Sequence, residues 1–349
     1  MNRADDAATS SQTLVFRCDA NPKIGTGHVM RCIALAQAWQ VAGGNGLFAV
    51  SELPIGLEAR LGSDGFRLHR SQAVTGTQED AAATVRTAKA SGAKWIVLDG
   101  DAFEVDFLIF LQEARLRVLL LDDFASRTAF PVDLILNPNL GASNESYRRA
   151  GFDGPLLVGH EYIPLRLEFT RHHVERDFSE TAQRVMVTLG GSDPENLAPR
   201  ISDALQAIKG LQVTIVAGAS YEHWNELQQV AGAGVRVVLN SSQMPELMGA
   251  TDLAITAAGG TFWELVYSGC AVLSYARNPI QARVVDLAAR EGAAWDLGNT
   301  RNFNSAELVK RVEQILRDRE LRRQMARAGS RMIDGMGAKR AIATLHDIL

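Results

Sequence analysis

Short apolar runs alternate with segments of helical period along almost the whole chain. The runs LVFRC (14–18), WIVLD (95–99), VLLLD (118–122), VDLIL (132–136) and RVMVTL (184–189) are rich in β-branched residues and leucine. VTIVAG (213–218), VRVVL (235–239), DLAIT (252–256) and AVLSY (271–275) continue the series. Brief apolar runs bounded by Gly, Asp, Asn or Ser predict buried strands. Between them, His28 to Val41 and Pro194 to Lys209 carry apolar residues at helical spacing. Strand and helix in repetition predict βαβ units and parallel sheet, the α/β class.

The number of strands predicts two sheets rather than one. Between Gly159 and Gln183 the pattern degrades into EYIPLRLEFTRHHVERDFSETAQ, charged and without a clear strand. A junction near 173–183 divides the chain into Rossmann-like domains at 13–175 and 176–349. Residues 1–12 are polar and acidic, unlike a signal peptide, and read as a loose extension. The tail from 304 is helical and basic, and its last helix is expected to pack back on the N-terminal domain. Two such domains face each other across a cleft, where the carboxyl ends of the strands bind ligands.

Composition narrows the class. Of 349 residues 46% are hydrophobic and 22% charged, and 36 basic against 40 acidic residues leave a net charge of −4. That balance excludes the broad basic footprint of a nucleic-acid binder and leaves room for a local anion site. Cys18, Cys32 and Cys270 are scattered and odd in number, so no disulfide framework is expected. No His/Cys cluster suggests a metal, and no cofactor is expected. The longest uncharged stretch, 32–51, contains Gln37, Gln40, Asn45 and glycines, and reads as helix, turn and strand rather than a membrane span. The expectation is a reduced, cytoplasmic protein with no membrane insertion.

Three glycine turns carry the candidate chemistry. Ile24-Gly25-Thr26-Gly27-His28 joins the first strand to a helix; it is neither a Walker A nor a full GxGxxG motif. Glycines let a ligand approach the backbone, and the helix start offers N–H groups to an anion; a tight turn explains the pattern equally well. His28 stands at the positive end of the helix dipole, which is expected to lower its pKa and keep it neutral, fit to accept a proton. Its bland alternative is a histidine bonded to a neighbour. Arg31, one turn on, faces the same anion or solvent. Gly190-Gly191-Ser192-Asp193-Pro194 reads as a capped helix start, with Pro194 in the first turn and N–H groups where a phosphate could rest.

The third turn is Ala258-Gly259-Gly260-Thr261, followed by Glu264. Thr261 and Glu264 fit a capping box; alternatively, Glu264 accepts hydrogen bonds from ribose hydroxyls while the glycines admit a diphosphate. In Asn278-Pro279-Ile280-Gln281 the amides either read a nucleobase edge or merely start a helix. Asp99, Asp122 and Asp123 end strands, and line a sugar site or serve as turn residues. Trp39, Trp95 and Trp263 read as core. His69, His160, His172, His173, His223 and His346 form no constellation.

Taken together, these stretches resemble a family. RxDxxxxIGTGHxMRCxxLA, here Arg17 to Ala36 and including Asp19, resembles the N-terminal signature of the UDP-2,4-diacetamido-2,4,6-trideoxy-β-L-altropyranose hydrolases of pseudaminic acid biosynthesis. LLLDDF (119–124), LILNPNL (134–140), YIPLRLEF around Arg166, VTLGGSDPENL, AAGGTFWELVYSG and DGMGAKR extend the likeness to that family and to spore-coat polysaccharide proteins. The resemblance implies a glycosyltransferase-B fold, with UDP held mainly by the C-terminal domain. It implies hydrolysis of the anomeric C–O bond of a UDP-sugar, with His28 as the essential histidine and Glu264 as the uridine-binding glutamate; pathway partners stay unknown. A nucleoside diphosphate leaves readily, so the paired carboxylates of ordinary glycosidases are unnecessary, and one neutral histidine with helix N-termini suffices without metal. Asp101 stands where the family has tyrosine, which implies a different sugar or weaker hydrolysis. A glycosyltransferase of the same fold, or a non-catalytic nucleotide-sugar-binding partner, would suit the same turns.

Overall fold

The apolar runs of the first half form seven parallel strands: β1 (Thr13–Cys18), β2 (Asn45–Val50), β3 (Arg67–Arg70), β4 (Trp95–Asp99), β5 (Arg117–Leu121), β6 (Leu134–Asn137) and β7 (Leu156–Val158). Their order in the sheet is β3-β2-β1-β4-β5-β6-β7. The second half adds six more, β8 (Arg184–Thr188), β9 (Gln212–Ala217), β10 (Val235–Leu239), β11 (Leu253–Ala257), β12 (Ala271–Ala276) and β13 (Trp295–Asn299). These are also parallel, in the order β10-β9-β8-β11-β12-β13. The computed structural model describes residues 12–171 and 176–348. The expected extension, apart from Gln12, and His172 and His173 of the expected junction lie outside the described residues.

Helices cover both faces of each sheet, which is why the central strands read as continuous apolar runs. In β1, Leu14, Phe16 and Cys18 pack under the helix Gly27–Val41, while Val15 faces the opposite core with Ile96 and Leu98. The C-terminal helix Gly337–Asp347 crosses back to the first sheet and buries Ala338, Ala341, Ile342 and Leu345 in that same core. Trp39 and Trp95 are core residues. No described helix is long and apolar enough to cross a membrane.

Two sequence expectations change. The apolar-run series omits β2, β3, β7 and β13; β2 is the strand read within the uncharged stretch 32–51, and the other three are edge strands, of which RLHR and WDLGN carry polar residues and are partly exposed. The helix expected over 194–209 runs only Leu197–Leu205. Asp193 and Asn196 take left-handed φ values of 40° and 47°, which delays it, and Pro194 is therefore not in its first turn.

Both sheets reverse their strand order, between β1 and β4 in the first and between β8 and β11 in the second. A reversal opens a crevice at the carboxyl ends of the two strands, because their connections leave on opposite sides. The turn 24–28 follows β1 and Asp99 ends β4; Gly190–Ser192 follow β8 and Ala258–Thr261 follow β11. The topology alone therefore gathers the glycine turns.

Candidate functional site

The two crevices open into one cleft with adjoining cavities of about 290 and 360 Å³. His28, Arg31 and Ala258 line the smaller, together with Asp101, Asp123 and Trp263. Gly25, Thr26, Arg166, Gly190, Gly191, Ser192 and Thr261 line the larger. Gly27, Gly259, Gly260, Glu264, Asn278 and Gln281 border both. Asp19 and Asp99 border neither.

The position of Asp19 corrects its expected place at the ligand. Its carboxylate is buried, accepting the N–H groups of Ser51 and Glu52 at 2.6 and 2.9 Å and pairing with Arg17 at 2.7 Å. Asp19 shapes the base of the fold rather than the cleft.

Asp99 also lies beneath the cleft wall, 1% exposed. Its Oδ1 is 2.7 Å from His28 Nδ1 and accepts that proton, and Arg31 donates to both of its oxygens at 2.7 and 3.0 Å. Arg31 Nη2 and His28 Nδ1, 3.2 Å apart, are two donors gathered by that one acceptor. Asp99 thus positions His28 and Arg31 instead of meeting a sugar. Arg31 also pairs with Asp123 at 2.7 Å, so its charge is shared between two carboxylates at the wall of the smaller cavity. With Nδ1 engaged, Nε2 is the ring nitrogen open to a ligand.

The histidine pKa moves opposite to the expected direction. Burial of the ring opposes its charged form, but the Asp99 charge and hydrogen bond outweigh it, and the pKa lies above the ordinary value. The helix dipole is the weaker influence because a carboxylate is in direct contact. A base that acts when neutral loses activity as pH falls through its pKa, so the acid limb lies above about 6.5. Asp99→Asn removes the stabilising charge and is expected to lower the His28 pKa in an NMR titration of its ring nitrogens. An unchanged or higher value would refute the Asp99 coupling.

On the facing side, the helix Gly260–Tyr267 starts without a side-chain cap, its N-cap being Gly259. The expected Thr261–Glu264 capping box does not form, because the helix begins one residue before Thr261. Glu264 instead accepts from Arg166 Nε at 2.8 Å. Burial alone would lower the pKa of Arg166, yet Glu264 and Glu168 hold it above its usual value. A Cβ built on Gly259 or Gly260 meets nothing within 4 Å, so these glycines leave open space at the positive end of the helix.

The other turns are less available to an anion. The N–H groups of Leu197 and Ala198 are taken by the Asp193 carboxylate at 3.1 and 2.9 Å, so that helix start is closed. Gly191 brings its turn against Thr26: a Cβ there would lie 2.8 Å from Thr26 N, which only glycine avoids. Asn278 caps its helix by accepting from Gln281 N at 2.9 Å, while Gln281 Oε1 accepts from Arg277 N at 2.9 Å. That leaves the Gln281 amide nitrogen as the donor beside both cavities.

Arg277 has no motif to announce it, yet it lines the larger cavity, and its buried Nε has no hydrogen-bond partner. Its one sequence signal is its place directly after β12, at the carboxyl end of a strand.

No family model matches the chain. An uncharacterized protein of Methanocaldococcus jannaschii, MJ1062, is 21% identical over 279 residues, 77% of this chain and 56% of that protein. The Bacillus subtilis spore coat polysaccharide biosynthesis protein SpsG is 26% identical over 200 residues, 55% of this chain and 58% of its own. The chain therefore spans a little over half the length of the curated relatives it matches. Among solved structures, Acinetobacter baumannii MurG superimposes with a TM-score of 0.65 at 14% identity, over 97% of this chain and 99% of MurG. The fold is glycosyltransferase-B. Spinosyn rhamnosyltransferase SpnG with thymidine diphosphate shares it, with a TM-score of 0.62 at 19% identity over 96% of this chain and all (100%) of SpnG. So does S. aureus MnaA with UDP, at 0.66 and 11% identity over 95% of each chain. The expected α/β architecture of two parallel sheets is met, and the glycosyltransferase-B part of the family resemblance with it.

Proposed function

We propose that the cleft binds a nucleotide-sugar, with UDP as its nucleotide, and moves the glycosyl group to a hydroxyl deprotonated by His28. The observation that carries this reading is the pairing across one cleft of a His28–Asp99 couple with the uncapped, glycine-lined start of the helix Gly260–Tyr267. The glycosyltransferase-B neighbours that hold UDP or thymidine diphosphate support a pyrimidine nucleoside diphosphate.

The chemistry balances on these groups. The attacking hydroxyl oxygen bonds to the anomeric carbon as its proton passes to Nε2 of His28. The anomeric C–O bond breaks, and its electron pair leaves on the diphosphate. Backbone N–H groups at Gly260 and Thr261 meet that charge without reorganising. Asp99 fixes the ring and stabilises the imidazolium once the proton has arrived.

Two nucleophiles fit. The rhamnosyltransferase among the neighbours and the polysaccharide role in SpsG's name support an acceptor other than water. The signature Arg17 to Ala36 supports the second reading, hydrolysis of a diacetamido-trideoxy hexose linked to UDP. A panel of UDP-sugars, assayed for UDP release with and without glycoside acceptors, separates them. Release only with acceptor supports transfer, and free sugar without acceptor supports hydrolysis. No release from any donor, with UDP bound, would point to the non-catalytic binding role and overturn both.

A further inference from the structure

Beyond the two adjoining cavities lies a third, of about 220 Å³, which meets the His28 cavity at Asp123, Phe124, Asn139, Ile280 and Val284. It shares no lining residue with the larger cavity, where Thr261 and the turn Gly190–Ser192 lie and where the proposed nucleotide is placed. The three compartments therefore run in a row with His28 in the middle one. Phe124 stands at the passage between the second and third, the residue 52% exposed. Among the described residues it is the one aromatic ring in the set of exposed large hydrophobic side chains.

The exposure is held in place by buried structure. Asp122, 2% exposed, accepts from Ala125 N at 2.7 Å and from the Tyr147 hydroxyl at 2.8 Å, and it pairs with Arg127. Ala125 takes a left-handed φ of 50°, a strained conformation for a residue with a side chain. A buried carboxylate network and a strained backbone thus fix the loop that carries an apolar ring into water. Burying Phe124 would be the stabilising choice for the fold alone; a fixed, exposed ring at the mouth of a reaction cleft is a platform for a ligand.

We propose that the third compartment is the acceptor site, and that the acceptor is a carbohydrate whose pyranose ring packs its C–H face on Phe124. This rests on the reading of the cleft as a glycosyl-transfer site and names the nucleophile within it. The acceptor enters from the side opposite the nucleotide, and one of its hydroxyls reaches His28. That oxygen takes the anomeric carbon, its proton goes to Nε2, and the diphosphate leaves with the bonding pair. Beyond its donor site a hydrolase needs only a path for water, whereas an exposed aromatic face at the mouth of a separate compartment suits a second sugar.

The test is saturation-transfer NMR on the full chain, with a panel of p-nitrophenyl hexosides and without nucleotide, beside a separate titration of UDP. We expect at least one glycoside to bind and Phe124→Ala to weaken it about five- to tenfold, with Phe124→Tyr restoring it. Circular dichroism and the melting temperature check that the variant folds, as removal of an exposed ring should allow. No glycoside binding, or binding indifferent to Phe124→Ala, overturns the acceptor site. Absence of UDP binding overturns the nucleotide reading separately, and the glycoside result stands on its own.

Discussion

Replacing His28 with asparagine is expected to lower kcat by about a hundred- to ten-thousandfold while UDP affinity stays within about twofold. Asparagine keeps a donor for Asp99 but offers no lone-pair nitrogen in place of Nε2, so the proton of the attacking hydroxyl has nowhere to go. UDP affinity is expected to hold because His28 borders only the smaller cavity, while the nucleotide is assigned to the larger. Steady-state kinetics on the donor selected by the UDP-sugar panel, with calorimetric titration of UDP, read the two effects separately. A variant that turns over at the wild-type rate would remove His28 from the mechanism. Loss of UDP affinity together with rate would instead make it a binding residue.

The second large effect concerns the fold. Asp80→Ala is expected to destabilise the chain by about 3–5 kcal/mol, read as a lower urea midpoint at unchanged slope. Arg17 is fully buried inside the first sheet, where Asp80 accepts from its Nε at 3.0 Å and Nη2 at 2.8 Å. Burial opposes the charge of Arg17, yet Asp80 and Asp19 hold its pKa above the usual value, so the guanidinium stays charged. Removing Asp80 leaves that charge short of its bidentate partner where water cannot replace it. The double variant Arg17→Met/Asp80→Leu is expected to lose less than Asp80→Ala, since neither charge of that couple is left unpaired and Asp19, which loses Arg17, keeps the N–H groups of Ser51 and Glu52 and the Thr75 hydroxyl as donors. A midpoint for Asp80→Ala within experimental error of wild type would show that the network does not hold the sheet.

That network also explains which parts of the sequence could be read. Arg17 and Asp19 belong to the signature that ends at His28, and their nearness in sequence suggests a shared site. Alternation along β1 sends Arg17 away from the core beneath the helix Gly27–Val41 and into contact with Asp80. The strands buried on both faces were legible as continuous apolar runs, and the edge strand β10 still carried one; the edge strands β3 and β13, polar and partly exposed, did not. His28 was legible from a glycine turn opening a helix. Its partner was not, because Asp99 meets it only through the β1–β4 register, which pairs Cys18 with Asp99. Arg166 and Glu264 lie 98 positions apart, and that distant pair, not a local cap, claims the glutamate. Short-range pattern names turns and caps; which carboxylate reaches which cation is decided by topology.

The central claim is that the cleft holds a nucleoside diphosphate at the start of the helix Gly260–Tyr267. The most direct test is calorimetric titration of UDP into the wild-type chain and into Gly260→Asp. The new Cβ meets nothing within 4 Å, so the side chain has room at the helix start and brings a carboxylate beside the proposed diphosphate position; circular dichroism checks that the variant folds. We expect saturable one-to-one binding by the wild type and at least a tenfold loss in the variant, from like-charge repulsion and occupied N–H groups. Equal affinity in both proteins, or no binding by the wild type, would contradict it.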